Sequence, residues 1–380
     1  MRRSLFNADH DAFRGTVRQF LAQNVVPEYP EWEKSGRPSE SFWKAAGQAG
    51  ILGIGVPTEY GGNEGTTFTH SVVVTEEIQR LGLAIGGLRI HTDIAMPYLL
   101  DYATPEQKRH WLPRLVAGDA VIALAISEPG AGSDIKSMST RAVRDGDHFV
   151  VNGSKTFISN GAAADLLVLA CKTDPSAGRD GLSILLVDTT TPGFTRGRSL
   201  NKLGLKAQDL AELSFENMVV PAENLLGREG DGFAMLTANL AQERLSIAVN
   251  SQAAATAVLD ATTASSNASQ VRQSHKFALA DCATEIQAGA ALVDSAVLAL
   301  GRRELSPSDA AMVKLYCTEL QGRVTDRCMR VIGSDGFRAG EFAGRAYLDG
   351  RVSRIYGGSS EIMKVIIAQS LNWSQDQVRV

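Results

Sequence analysis

Along the chain, the spacing of hydrophobic and polar positions changes twice. From Asp9 to about Gly118 apolar residues recur at helical intervals: DAFRGTVRQFLAQNVV (11–26) puts Phe13, Val17, Phe20 and Leu21 on one stripe, and TFTHSVVVTEEIQRLG (67–82) predicts a second helix. GVPTEYGGNEG (55–65) between them has the chemistry of turns. From about Val121 to Leu226 the period falls to two. HFVVNGSKTFIS (148–159), DLLVLACKT (165–173), GLSILLVD (181–188) and AELSFENMVV (211–220) predict short strands punctuated by Gly, Pro, Asp and Asn, as in a small barrel or sandwich. Beyond Gly232 an Ala- and Leu-rich helical texture runs to about Ser370, with breaks expected at the polar patch TTASSNASQ (262–270) and at Pro307. The expected order is helices, a β region, then helices.

Composition narrows the possible roles. At 380 residues and 44% hydrophobic, the chain exceeds what one core usually supports, so two or three packed units are expected. The 38 Lys and Arg against 42 Asp and Glu leave a net charge of -4 with no block of one sign, which argues against nucleic acid as the main partner. Cys171, Cys282, Cys317 and Cys328 show neither paired spacing nor nearby His, so no disulfide framework and no metal site is expected, and the cytoplasm is the expected compartment. No apolar run follows the basic start, and no stretch of 18 apolar residues occurs later, so neither secretion nor membrane spanning is expected.

Neither a G-x-G-x-x-G after a strand nor a Walker A loop is present, and NGSKT has the wrong spacing around its lysine. The segment with chemistry in it is LAISEPGAGSDIKS (124–137). Pro129, Gly130 and Gly132 force an irregular turn after a strand and free backbone N–H groups, with the hydroxyls of Ser127 and Ser133, to meet a flat polar ligand or a phosphate. The same residues would also suit an ordinary Gly-rich hairpin.

Four segments in one order go further. ISEPGAGSD (126–134), NGSKTFISNG (152–161), LNKLGLKAQDLAELSFENMVVPAENLLG (200–227) and RIYGGSSEI (354–362) resemble the acyl-CoA dehydrogenase family over nearly the whole chain. HTDIAMPYL (91–99) and GLKAQDLAEL (204–213) resemble its long-chain branch. The resemblance implies an α+β, mainly α fold: an N-terminal helical domain (1–120), a central β-barrel-like domain (121–228) and a C-terminal domain like a four-helix bundle (229–380). It also implies FAD, α,β-dehydrogenation of an acyl-CoA to the trans-2-enoyl thioester, an electron-transfer flavoprotein as partner, and a homo-oligomer, tetramer or dimer.

Carried over by position, Leu124, Ala125, Ile126, Ser127, Gly132 and Ser133 match the family's flavin cradle, Ser133 also lying where the thioester arm passes. Phe157, Ile158 and Ser159 match the strand covering the flavin ring, and Ser359, Ser360 and Glu361 the turn that touches FAD. Gln242, Arg244, Gly357 and Gly358 match positions around the substrate, with the Gly357 N–H implied as a donor to the thioester carbonyl. Many members carry a catalytic Glu where this chain has Gly357. The long-chain and isovaleryl types take theirs from a Glu-Arg pair on another helix, which matches LAQERLSIA (240–248) and makes Glu243 the candidate base. The periodicity agrees: Leu236, Leu240, Glu243 and Ile247, spaced 4, 3 and 4, put the carboxylate on an apolar stripe, where burial would raise its pKa. A buried ion pair with Arg244 is the other reading of the same spacing.

The departures from the family cluster on the adenine side of FAD. The family's Arg-x-x-Phe-Gly loop is replaced by a shorter DATTASSNASQVRQ (260–273), and its Gln-x-x-Gly-Gly-x-Gly motif reads Arg330-Val331-Ile332-Gly333-Ser334-Asp335-Gly336. Arg272 or Arg330, with Gly333, would supply the charge and the turn that a pyrophosphate needs, or both arginines are solvated surface residues. Two other functions stay open on these grounds: the same reaction on an acyl-carrier-protein thioester, and a flavin-poor relative with a structural or non-redox role.

Overall fold

The computed structural model describes residues 3–265 and 271–371. The chain divides into two compact units, one of residues 6–239 and one made of Met1–Leu5 with Leu240–Val380.

In the first unit, helices α1 (Ala8–Phe20), α2 (Tyr29–Ser35), α3 (Glu40–Gln48), α4 (Phe68–Arg80), α5 (Gly87–Arg89), α6 (Met96–Tyr102) and α7 (Pro105–Ala117) precede the sheet. The stripe expected on α1 continues into the following turn of helix and goes inward: Val17, Phe20 and Leu21 are buried and Phe13 packs at the edge of the same cluster. Asn7 starts α1 and Thr104 starts α7, each accepting the amide of the third helical residue, which satisfies donors the helix itself cannot.

The strands are β1 (Ile122–Ala125), β2 (Arg141–Asp145), β3 (His148–Ser159), β4 (Leu166–Lys172), β5 (Leu182–Asp188), β6 (Phe194–Ser199), β7 (Leu210–Pro221) and β8 (Leu225–Leu226). They form one sheet in the order β6-β7-β3-β2-β4-β5-β8, with β1 added parallel to β4. β3 occupies the span its alternation predicts. β2 and β6 carry no such signal, because their residues are almost all exposed and charged or polar: Arg141, Arg144 and Asp145 on one, Arg196 and Arg198 on the other. The register of β3 against β7 shifts between Lys155 and Ile158, a bulge that re-aims the residues inside it.

In the second unit the described helices are α8 (Gly232–Ser265, which begins before the boundary), α9 (Gln273–Gly301), α10 (Pro307–Ile332), α11 (Phe342–Gly350) and α12 (Ser360–Ser370). α10 packs against α9, α11 and α12 around a core of Val258, Cys282, Leu320, Val324 and Cys328. Two expected breaks resolve differently. Pro307 begins a helix, its missing N–H falling where the helix has no partner to offer, with Ser306 as cap. The patch TTASSNASQ is helical through Ser265, where Thr262 and Ser265 bond back to carbonyls of their own helix, and 266–270 lie outside the described residues. By length and composition alone α9 would be apolar enough to cross a membrane, although Cys282, Ile286, Val293 and Val297 are buried within the unit.

Candidate active site

Within residues 6–239 the predicted cradle is a turn between β1 and β2, braced from below. The Thr156 N–H donates to the Ser127 carbonyl at 2.9 Å and Lys155 Nζ donates to the Ile126 carbonyl at 2.9 Å, tying the turn to β3. Lys155 also pairs with Glu128 at 2.9 Å, and the N–H of Thr140 donates to Glu128 at 3.0 Å. The Ser139 hydroxyl donates to it as well, at 2.7 Å. Burial alone would raise the Glu128 pKa, but the hydrogen bonds of Thr140 and Lys155, the Lys155 charge and the Ser139 N–H outweigh it and hold the carboxyl at about 2. Glu128 and Lys155 are therefore structural; sequence reasoning passed over Glu128 in a motif read for its glycines and hydroxyls, and weighed Lys155 only as a nucleotide-loop lysine.

Above that brace the surface is apolar with a hydroxyl edge. Ala125 and Ile158 are buried, while Leu124, Ile126, Ser127 and Ser159 are partly exposed. Phe157, inside the bulge, has φ 57° and is 65% exposed, which is unusual for a bulky ring. The Ser159 hydroxyl accepts from Gln208 Nε2 at 2.9 Å. Gly132 and Ser133 are exposed on the loop, and a Cβ built at Gly130 or Gly132 would meet nothing within 4 Å. These residues fit a flat heterocycle with one polar edge.

Within residues 240–380 the candidate base and the Gly-Gly turn come together. Gly357 and Gly358 have φ of 64° and 94°, values that an L side chain rarely adopts. A Cβ built on Gly357 would lie 3.6 Å from Glu243 Oε1. Glu243 is set deep among protein atoms yet still partly reached by solvent, and among the described residues it makes neither a hydrogen bond nor an ion pair. Burial therefore dominates, opposed only by the more distant charges of Arg244 and Lys314, and pushes its pKa up to about 7. The alternative of a Glu243–Arg244 ion pair is absent from this structure: Arg244, itself buried, turns its Nε toward the Gly357 carbonyl at 3.5 Å. Gln242 is partly exposed on the same turn of α8.

The amide N–H groups of Gly357 and Gly358 have no hydrogen-bond partner among the described residues. Lys314, wholly buried, donates to the Gly358 carbonyl at 2.7 Å. Sequence reasoning missed this lysine. The available signal was its place between Ala310 and Cys317, spaced 4 and 3, on the buried side of α10.

The remaining candidates are more dispersed. Ser359 caps α12 through the Ile362 N–H, and Ser360 is buried with its hydroxyl donated to Glu319 at 2.6 Å. Glu361 is exposed in the first turn of α12, its carboxyl held below the usual range by its own backbone N–H and the Ser359 hydroxyl. Arg330 is a surface residue paired with Asp326 at 3.1 Å. Together with Gly333, Arg272 and His275 it lines a cavity of about 820 Å³ that Asp335 and Glu341 also border. No group of metal-ligating side chains occurs among the described residues.

Three family models match in succession: acyl-CoA dehydrogenase N-terminal domain at 7–119, middle domain at 123–218 and C-terminal domain at 230–372. The long-chain specific acyl-CoA dehydrogenase of Sus scrofa mitochondria is 38% identical, over 97% of this chain and 88% of its own. The crystal structure of an acyl-CoA dehydrogenase from Geobacillus kaustophilus is 42% identical with a TM-score of 0.94, covering 98% of this chain and 100% of its own. A structure described as the electron transferring flavoprotein of Acidaminococcus fermentans is 29% identical with a TM-score of 0.92, covering 98% and 100%.

Proposed function

This chain belongs to the acyl-CoA dehydrogenase family, and we propose that Glu243 is the base of its reaction. The reaction is the FAD-dependent α,β-dehydrogenation of an acyl-CoA to the 2-enoyl thioester. FAD, when bound, supplies the acceptor for the β-hydrogen and its electron pair. The chain's own residues do the rest. The unpartnered Gly357 and Gly358 N–H groups would donate to the thioester carbonyl oxygen and make the α-proton more acidic. Glu243 takes that proton.

The observation that carries the assignment is a carboxylate with no partner of its own beside a turn that offers only donors. A pKa near 7 leaves a large fraction ionised at neutral pH while keeping the proton affinity the step needs. The apolar face of Leu124, Ile126 and Phe157, with Ser127 and Ser159 at its edge, suits the isoalloxazine ring. Arg272, Arg330 and Gly333 are proposed to hold the pyrophosphate side.

Glu243→Gln keeps shape and removes the proton acceptor. Anaerobic flavin reduction by a good acyl-CoA is expected to slow at least ~10²-fold with FAD content unchanged. A Glu361→Gln protein that loses reduction while Glu243→Gln keeps it would sink the assignment. The proposal extends to an electron-transfer flavoprotein as acceptor, checked by its reduction in a coupled assay. It extends also to a homo-oligomer, tetramer or dimer, supported by the exposed Phe277 and Leu298 of α9 and measured by light scattering. Four free, buried cysteines are in keeping with a cytoplasmic site.

A further inference from the structure

Lys314 presents an energetic problem. A buried ammonium without a close counter-charge is costly, and elsewhere in this chain the cost is met by an ion pair: Lys155 has Glu128 at 2.9 Å. Lys314 is equally buried but has no ion pair among the described residues, and its hydrogen bond goes to the Gly358 carbonyl. The charges that face it are Glu243 and Arg244 from α8, Glu319 from its own helix and Glu361 from α12.

Peptide planarity gives that hydrogen bond a consequence. The carbonyl of one residue and the N–H of the next lie in one plane and point in opposite directions. Arg244 facing the Gly357 carbonyl turns the Gly358 N–H away from itself, and Lys314 on the Gly358 carbonyl does the same for the Ser359 N–H. Arg244 thus faces the carbonyl of the peptide plane between Gly357 and Gly358, and Lys314 holds the plane that follows it, at the C-terminal side of the turn. In a pair of glycines, where the backbone has its widest choice, such an anchor decides the conformation.

We propose that Lys314 is a positioning residue for the dehydrogenation: it anchors the Gly357–Gly358 turn through the Gly358 carbonyl and places a positive charge that favours the ionised form of Glu243. The proposal rests on Glu243 being the base. Loss of the anchor frees the peptide plane that follows Gly358 and loosens the turn that carries the donor amides, and loss of the charge leaves Arg244 alone to oppose burial at Glu243, so that a higher pH is needed to free the carboxylate.

The test separates base from flavin chemistry. An acyl-CoA with a quaternary β-carbon has α-hydrogens but no β-hydrogen to give up, so deuterium exchange at its α-carbon in D2O reports proton removal alone. Exchange is measured against pH for the holoenzyme and for Lys314→Met, Lys314→Gln, Lys314→Arg and Glu243→Gln. Lys314→Met is expected to exchange ~10- to 10²-fold more slowly, with the acid limb of its profile moved up by about one pH unit. Lys314→Gln, which can still donate to the carbonyl but carries no charge, is expected to recover part of the rate and keep the shifted limb. Lys314→Arg is expected to restore the limb. A folded, flavin-loaded Lys314→Met with the limb in place and a rate within about twofold of the parent overturns the proposal. If Lys314→Met does not fold, an unshifted limb in Lys314→Gln does the same. Undiminished exchange by Glu243→Gln would instead remove the base assignment, and is read from that variant alone.

Discussion

Glu128 in the 6–239 unit and Glu243 in the 240–380 unit are made from the same ingredients, a carboxylate inside the protein with a buried lysine in its surroundings, and they come out at opposite ends of proton affinity. Glu128 is held at about 2 and Glu243 is raised to about 7. Burial pushes both up, so burial does not explain the difference. Hydrogen bonds do: Glu128 accepts from Thr140, Ser139 and Lys155, whereas Glu243 accepts from nothing among the described residues, and its lysine is spent on a carbonyl. A saturated carboxylate holds a turn in place. An unsaturated one is free to take a proton.

The comparison breaks most visibly when one carboxylate is neutralised in each place. Glu128→Gln leaves Lys155 buried without its counter-charge and is expected to cost about 3–5 kcal/mol of stability. Glu128→Gln with Lys155→Met removes both charges, and is expected to lose much less than the sum of the single changes. Chemical denaturation of the four proteins in that cycle gives the coupling. Near-additive losses would mean that the pair is not the brace the geometry makes it.

Stability against pH sharpens the same contrast. Glu128, depressed in the folded state, contributes stability that is present above its ordinary value of 4.5 and is lost as pH falls toward 2. Glu243, raised in the folded state, acts in the other direction: the folded protein holds the proton more tightly, so its contribution declines as pH rises from about 4.5 to about 7, by roughly 3 kcal/mol. Glu243→Gln removes that slope. Its stability relative to the parent is therefore expected to be higher at pH 8 than at pH 5, measured by denaturant titration at both. The same ratio at both pH values would show that Glu243 has a partner in solution.

Much of this was legible in the sequence, and the exceptions share one cause. β3 was readable because its buried and exposed residues alternate, and Glu243 because a charge on an apolar stripe stands out. β2 and β6 were not, since strands whose side chains nearly all face water carry no alternation. Lys155 and Lys314 were missed because lysine normally reaches solvent, a prior that outweighed the place of Lys314 among the buried positions of its helix. The cradle assignment rests on the order of four motifs, not on any period. What local pattern cannot supply is the partner of a charged group, and here the partner decides how tightly a carboxylate holds its proton.

Gly357→Glu in the Glu243→Gln background is the next, smaller effect. The built Cβ lies 3.6 Å from Glu243 Oε1, so a carboxylate from this position enters the same neighbourhood, but it lies 2.3 Å from Ile247 Cδ1 and the residue sits at φ 64°. The backbone cost is about 1–2 kcal/mol, and the isoleucine tip must move. Partial recovery of flavin reduction is expected, on the order of 10-fold over Glu243→Gln alone, with more when Ile247→Val clears the methyl group. No recovery in either protein would mean that the two positions do not serve one carbon.

The smallest effect concerns the cavity between the ends of α8, α9 and α10, where two arginines are not equivalent. Arg330 has a side chain 72% exposed and is already paired with Asp326 one helical turn away, an arrangement worth little in water. Arg272 has no ion pair among the described residues and stands at the N-cap of α9, a 29-residue helix whose first amides receive no side-chain cap. The helix end adds partial positive charge to that of the guanidinium, so a pyrophosphate there would gain from both. Arg272→Ala is therefore expected to weaken FAD binding by about 3- to 10-fold, and Arg330→Ala by no more than about twofold, read as flavin released during dialysis and by titration of the apoprotein. The reverse ranking would assign the anion to the exposed arginine, and equal retention by both variants would place the pyrophosphate outside this cavity.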